Sequence, residues 1–285
     1  MAARNSNWKT NILLTASAVL LWAAPARAQA QEYSHAAWDR LLKKYVNEEG
    51  RVDYEAVRGQ RADLDIYIRQ IAERSPVSHP KEFSSRDSQL AYWINAYNAL
   101  VIHAVVDEWP VKSVRDLGKL YGFFWRKKFT AGGRKYTLNG IEGEFLRKQL
   151  AEPRIHFAIV CAAVSCPRLQ REAYTAENTE RLLEEATRFY LNEPRNLKVE
   201  AGANRVTLPR ILTWYKEDFE AYLKNKRAPT TGHVLVDYVK VYANEANRRA
   251  LESLRKPHVD DFEYDWTIND VRTVVAREPA KGQKP

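Results

Sequence analysis

Residues 154–169 read RIHFAIVCAAVSCPRL. This stretch holds one of the six histidines, both cysteines, and a proline directly after the second cysteine. From Ile155 to Cys161 every residue except His156 is apolar, as in a strand covered on both faces, so the pattern predicts a central strand. Side chains alternate along a strand, which sets Cys161 on the face opposite His156 with their backbones roughly 16 Å apart. Cys161 then reads as a small core residue. Ala162–Ser165 continues a strand poorly, and Pro167 suits the first position of a helix. A helix starting there would put Cys166 at its positive end, where thiolate is favoured over thiol. The competing reading is a thiol that only fills the corner of a turn. A base must come within about 3 Å of a nucleophilic sulfur, and His156 lies ten residues upstream, roughly 33 Å along a straight chain. His156 can serve only if the chain folds back after Cys161; otherwise His103 or His233 must.

Working outward, Trp38, Leu41, Leu42 and Tyr45 recur at helical spacing, as do Leu64, Tyr67, Ile68 and Ile71. Residues 51–57, RVDYEAV, between these helices resemble a short strand. The segment from Ser85 to Glu108 is apolar on most sides and is closed by Trp109-Pro110, which predicts a buried central helix. Aromatic and β-branched runs flank Ala131-Gly132-Gly133-Arg134 and predict a hairpin, and Gly202-Ala203-Asn204 predicts a second. Residues 138–150 and the amphipathic run 176–192 read as helices, shorter helical pieces lie near 212–223 and 232–244, and residues 258–270 supply a last strand. With no repeat and no dividing linker, the pattern predicts a single α+β domain over 29–277, with a central, mostly antiparallel sheet packed by helices.

The ends carry other signals. Arg4 and Lys9, the 13-residue apolar run Ile12–Ala24 and the small-residue exit Ala26-Arg27-Ala28 predict a signal peptide over residues 1–28. The run falls short of the roughly 20 residues that span a bilayer, so the processed chain is expected to have no stable membrane span and to be periplasmic or secreted. Residues 278–285, EPAKGQKP, read as a disordered tail. Removing residues 1–28 lowers the net charge from +9 to +6, a modest basicity that fits anionic envelope polymers better than nucleic acid. No HExxH, HxH or CxxC spacing occurs, so neither metal nor cofactor is expected. Cys161 and Cys166 could form a disulfide, although a five-residue separation demands a sharp reversal.

Several separated motifs are similar to those of domain-of-unknown-function family 547. These are Tyr92-Trp93-Ile94-Asn95-Ala96-Tyr97-Asn98-Ala99-Leu100, Leu138-Asn139-Gly140-Ile141-Glu142 with Leu146-Arg147, Arg154-Ile155-His156-Phe157-Ala158 through Ser165-Cys166-Pro167, and Tyr264-Asp265-Trp266. The resemblance runs from about Phe83 to Asn269 and implies a cysteine-proteinase-like fold. Carried over by position, it implies Cys166 as nucleophile, His156 as base and Glu142 as the acid that orients the imidazole. The family pattern places a histidine directly after that glutamate, where this chain has Gly143.

Asn95 and Asn98 share one face of the central helix and either clamp it to a neighbouring loop or line a pocket as oxyanion donors. Arg147 and Arg154 are candidates to bind a substrate carboxylate, with ordinary ion pairing as the alternative. The expected function is an exported thiol-dependent hydrolase or acyl-transfer enzyme acting on a peptide-like amide. The alternative is a non-catalytic binding or scaffold module with a degenerate pocket, taking a peptide-like or thiol-bearing small molecule. A third reading is redox, in which an oxidised Cys161–Cys166 pair blocks nucleophilic attack.

Overall fold

Ser85 starts the longest helix by accepting from the Ser88 backbone N–H at 3.0 Å while Ser88 Oγ accepts from the Ser85 N–H at 3.2 Å, a reciprocal cap. That helix, Arg86–Glu108, buries most of its residues on all sides, including Tyr92, Trp93, Asn95, Tyr97 and Asn98. It is the axis of a computed structural model that describes Met1 and residues 33–118, 122–227 and 232–273. The expected signal peptide and the polar tail lie outside the described residues, apart from Met1. From Tyr33 onward the described chain forms one packed unit, and none of its helices is long and apolar enough to cross a membrane.

In chain order the helices are α1 (Ala36–Tyr45), α2 (Tyr54–Gly59), α3 (Ala62–Glu73), α4 (Arg86–Glu108), α5 (Gly122–Trp125), α6 (Leu138–Gly140), α7 (Thr179–Asn192), α8 (Arg210–Trp214), α9 (Lys216–Asn225), α10 (Val234–Tyr242) and α11 (Glu245–Glu252). A π-helical stretch, Ile141–Gln149, continues α6. The strands are β1 (Phe129–Ala131), β2 (Arg134–Tyr136), β3 (Lys198–Glu200), β4 (Arg205–Leu208) and β5 (His258–Asp261). β1 and β2 form an antiparallel hairpin across Gly132 and Gly133, both at positive φ. β3 pairs antiparallel with β4, and β5 adds parallel to β4.

The structure is thus mixed α+β and predominantly helical, with two small sheets and no central sheet among the described residues. This corrects the sequence expectation, and the error lies in the quoted stretch. Residues 153–157 are a 3-10 helix begun by Pro153 and capped by Glu152, whose side chain accepts from the Arg154 N–H. Residues 158–162 run on as irregular chain, buried except for the half-buried Cys161. A short continuous apolar run does not distinguish a covered strand from any other buried segment. Residues 51–57 likewise hold only two isolated bridges, from Val52 to Val46 and to Asp270, before α2 starts at Tyr54.

A strand would satisfy its backbone with a ladder; here the side-chain amides of α4 take over. Asn98 Nδ2 donates to Ala158 O at 3.0 Å and Asn98 Oδ1 accepts from Val160 N–H at 2.8 Å. One turn earlier, Asn95 Nδ2 donates to Tyr174 O at 2.7 Å and Asn95 Oδ1 accepts from Tyr174 N–H at 3.1 Å. Both amides act as double clamps on buried backbone, which must be paired somewhere.

Asn98→Ala leaves an acceptor and a donor unpaired in the interior, so it is expected to cost about 2–4 kcal/mol. Urea unfolding, monitored by circular dichroism, reads this directly; a loss below about 1 kcal/mol would mean that the 158–160 segment is held by packing alone.

Candidate active site

Ala162 sits at φ 69°, a left-handed conformation that turns the chain back on itself. The reversal closes with Cys166 N–H donating to Ala163 O at 3.1 Å. It is fixed from outside by the C-terminal segment: Val164 N–H donates to Thr267 O, Ser165 N–H to Asp265 O, and Asn269 N–H to Ala162 O. Tyr190 Oη donates to Ser165 O as well. The loop thereby returns Cys166 to Cys161, and the two form a disulfide with Cα atoms 6.4 Å apart. Cys161 N–H donates to Cys166 Sγ at 3.0 Å, and the Tyr264 hydroxyl lies 3.2 Å from each sulfur.

Two expectations are corrected here. Cys161 is not an inert core thiol on the face opposite His156, because both residues line one cavity. No helix begins at Cys166, since residues 167–170 are irregular. Any stabilisation of a Cys166 thiolate therefore rests on the Cys161 N–H and the Tyr264 hydroxyl rather than on a helix dipole.

The cavity has a volume of about 360 Å³. It is lined by His156, Glu142, Asn139 and the disulfide together with the rings of Tyr97, Phe124, Trp125, Trp214, Tyr215, Tyr264 and Trp266. Glu142 comes from the π-helical stretch, a geometry often found at functional sites. Trp125 and Trp214 are 64% and 45% exposed and stand at the edge of the cavity, whereas His156 is 3% exposed.

His156 Nε2 bonds Asp218 Oδ2 at 2.8 Å, and the ring stacks on Tyr215 at 3.8 Å between centroids. Asp218 also accepts from Arg147 Nε at 2.6 Å and Nη2 at 3.1 Å, and the Arg147 guanidinium lies 4.9 Å over the Tyr215 ring. If Nε2 carries the proton toward Asp218, Nδ1 keeps its lone pair, and Nδ1 has no hydrogen-bond partner among the described residues. The acid on His156 is therefore Asp218, not the expected Glu142. Glu142, 7% exposed, instead lies close enough to the Tyr215 hydroxyl for its charge to act on it. Burial first, then the nearby charge of Glu142, push the Tyr215 hydroxyl well above its ordinary value.

The remaining sequence candidates lie elsewhere. Asn95 and Asn98 hold backbone and do not line the cavity. Arg154 is buried and forks onto Glu152 at 2.7 Å and Glu180 at 2.7 Å. Arg147 is engaged by Asp218, so both arginines bind internal carboxylates instead of presenting a free guanidinium to a substrate. His103 contacts Arg61 and Asp107 outside the cavity, and His233 does not line it. At Gly143 a Cβ would meet nothing within 4 Å, so a side chain there is not sterically excluded. No group of three or more histidine, cysteine, aspartate or glutamate side chains among the described residues is placed to hold a metal ion.

Residues 80–191 match the family model described as Protein of unknown function, DUF547. The matched span takes in α4, Glu142, His156, both cysteines and most of α7, and it stops short of Tyr215, Asp218 and Tyr264. No curated protein and no solved structure matches the chain, so no neighbour of known fold supports a likeness to cysteine proteinases.

Asp218 was invisible to sequence reasoning, although its partners His156 and Arg147 were both singled out. Asp218 lies 62 residues from His156, in the first turn of α9, and no spacing rule links the two. Burial pushes the Asp218 carboxyl up, but hydrogen bonds from His156 and then Arg147 outweigh it and bring it from 3.8 down to about 2.

A depressed carboxyl contributes stability that is complete above its unfolded value and lost as pH falls through its folded value. Asp218→Asn should therefore be less stable than the wild type at pH 7, with the gap narrowing as pH falls from about 4 toward about 2. Urea midpoints of both proteins from pH 7 to pH 2 check this; a constant gap would show that the His156–Asp218–Arg147 array does not control the acid limb.

Proposed function

We propose that the cavity is a thiol-dependent hydrolase or acyl-transfer site for a peptide-like amide, latent while Cys161 and Cys166 are joined. The observation that carries this reading is His156, braced by Asp218 through one ring nitrogen and unpartnered at the other, in a cavity that Cys166 also lines. A dithiol reductant, itself oxidised to its disulfide, would release both cysteines as thiols. Cys166 is the better nucleophile of the two, because the Cys161 N–H and the Tyr264 hydroxyl can both donate to its sulfur.

The steps then follow the logic of thiol catalysis. Cys166 passes its proton to His156 Nδ1, and the sulfur attacks the amide carbonyl. The tetrahedral intermediate expels the amine, which takes the proton from His156, leaving an acyl-enzyme. Water or a second amine, deprotonated by the same nitrogen, attacks the thioester and frees the thiol. Asp218 accepts from Nε2–H throughout and stabilises the imidazolium. Export of the chain, expected from residues 1–28, would deliver the pair to a compartment where disulfides persist, so turnover would depend on a local reductant.

After reduction, one equivalent of iodoacetamide should label Cys166 in preference to Cys161, as read by peptide mass, with no labelling before reduction. Cys161→Ala should retain the fast-reacting thiol and Cys166→Ala should lose it. His156→Gln should slow the reaction near neutral pH by about tenfold or more, if the imidazole draws the thiol toward thiolate. Faster labelling at Cys161, or equal rates in the His156→Gln protein, would remove the nucleophile and base assignments and favour the non-catalytic binding module.

A further inference from the structure

Glu142 is a carboxyl group buried to 7% exposure among aromatic rings, on the wall of the cavity. Its charge reaches the Tyr215 hydroxyl, and among the described residues it makes no salt bridge. The nearby guanidinium of Arg147 feels its charge, but that cation makes its ion pair with Asp218 at 2.6 Å. His156 is likewise turned to Asp218 through Nε2. A buried carboxylate without a counter-cation is costly, and the usual remedy is a partner of opposite charge.

The walls suit such a partner. Tyr264 and Trp266 lie 4.5 Å apart by ring centroids, and Trp214 is 4.8 Å from Tyr264. Trp125 and Tyr97 line the same cavity. Aromatic faces attract cations through their quadrupoles, most strongly where water is excluded. The Arg115 guanidinium already rests 5.3 Å over Trp266, which leaves Trp214 and Trp125 as the faces for an incoming cation. A neutral ligand could gain at most a hydrogen bond from Glu142, without the charge–charge attraction, and an anion would be repelled by it.

We infer that the cavity recognises a primary alkylammonium group, carried by a peptide-like ligand and seated between Glu142 and the Trp125–Trp214 faces. This names the substrate class and rests on the proposed function only in calling the ligand a substrate. Two sources offer the same chemistry, the amino terminus of a peptide and a lysine side chain. Either fits a site in which an amide is attacked next to, or made with, an amine.

Binding is measured on the full chain in its disulfide state, where Cys166 cannot react, so failure of the thiol chemistry does not affect the outcome. The probes are alaninamide and its neutral Nα-acetyl form, and Nα-acetyl-lysinamide with its neutral isostere Nα-acetyl-norleucinamide. Titration calorimetry should show at least one cationic probe binding tenfold or more tightly than its neutral counterpart, and the tighter of the two cations identifies the source. Glu142→Gln should bring the cation-to-neutral ratio close to one, and Trp214→Ala should lower it several-fold. Because the ratio is taken within each protein, a partial loss of folded material does not mimic the effect. Equal binding of charged and neutral probes by the wild type, no saturable binding of any cation, or a ratio unchanged in Glu142→Gln would each overturn the assignment.

Discussion

The amide of Asn98 is the constraint on which the rest of the structure depends. It sits in the middle of a helix whose other contacts are largely apolar, and it makes two hydrogen bonds to the backbone of residues 158 and 160. Without such a partner, the interior path of that segment would leave peptide groups unpaired, at about 1–3 kcal/mol for each. With it, the chain can cross the core without a sheet. His156 and the cysteine loop flank this crossing, so the geometry of the candidate site is referenced to α4 through one side chain. Asn95 does the same for Tyr174, just before α7, and the two clamps fix both ends of the loop that holds the cysteines.

This explains what could be read from the chain and what could not. The spacing of Trp38, Leu41, Leu42 and Tyr45 shows the buried face of α1 because a helix repeats its environment every 3.6 residues. Gly132 and Gly133 mark the hairpin because a tight reversal needs positive φ there. Both signals are local. Residues 155–161 carry no comparable signal, since complete burial erases periodicity and a helical turn, a strand and a clamped coil all look alike. Pro153 opens the 3-10 helix from within its first turn. The reversal at Ala162 is opaque for another reason: a non-glycine residue at φ 69° is held there by contacts with residues 265–269, a hundred positions away.

The site shows the same division between near and far. Cys166, His156 and Glu142 were legible as a group by their resemblance to a family pattern, and all three line one cavity. Of their partners, Tyr264 fell within a quoted motif without a role, and Asp218 and Tyr215 carried no signal. Asp218 reaches His156 from the first turn of α9, Tyr215 stacks on the same ring from the residue just before α9, and Tyr264 touches the sulfurs from the C-terminal segment. The consequence is a shift of roles: Asp218 braces the imidazole, which leaves Glu142 free to face the cavity. A carboxyl group that would otherwise be a structural accessory becomes an element of ligand choice.

The disulfide adds less to the fold than its position suggests. Its cysteines are five residues apart, and closing so short a loop removes only about 2 kcal/mol worth of chain entropy from the unfolded state. The same loop is held by backbone bonds from Val164, Ser165 and Ala162 to the 265–269 segment, by Tyr190 on Ser165 O, and by Arg195 Nη1 on Val164 O at 2.9 Å. None of these bonds involves sulfur, so none of them requires the covalent link. The covalent link is therefore redundant as a brace for the turn, and opening it alters the chemistry of the cavity wall more than its shape. A bond with a small structural role, placed where a nucleophile would stand, is suited to control access to that nucleophile.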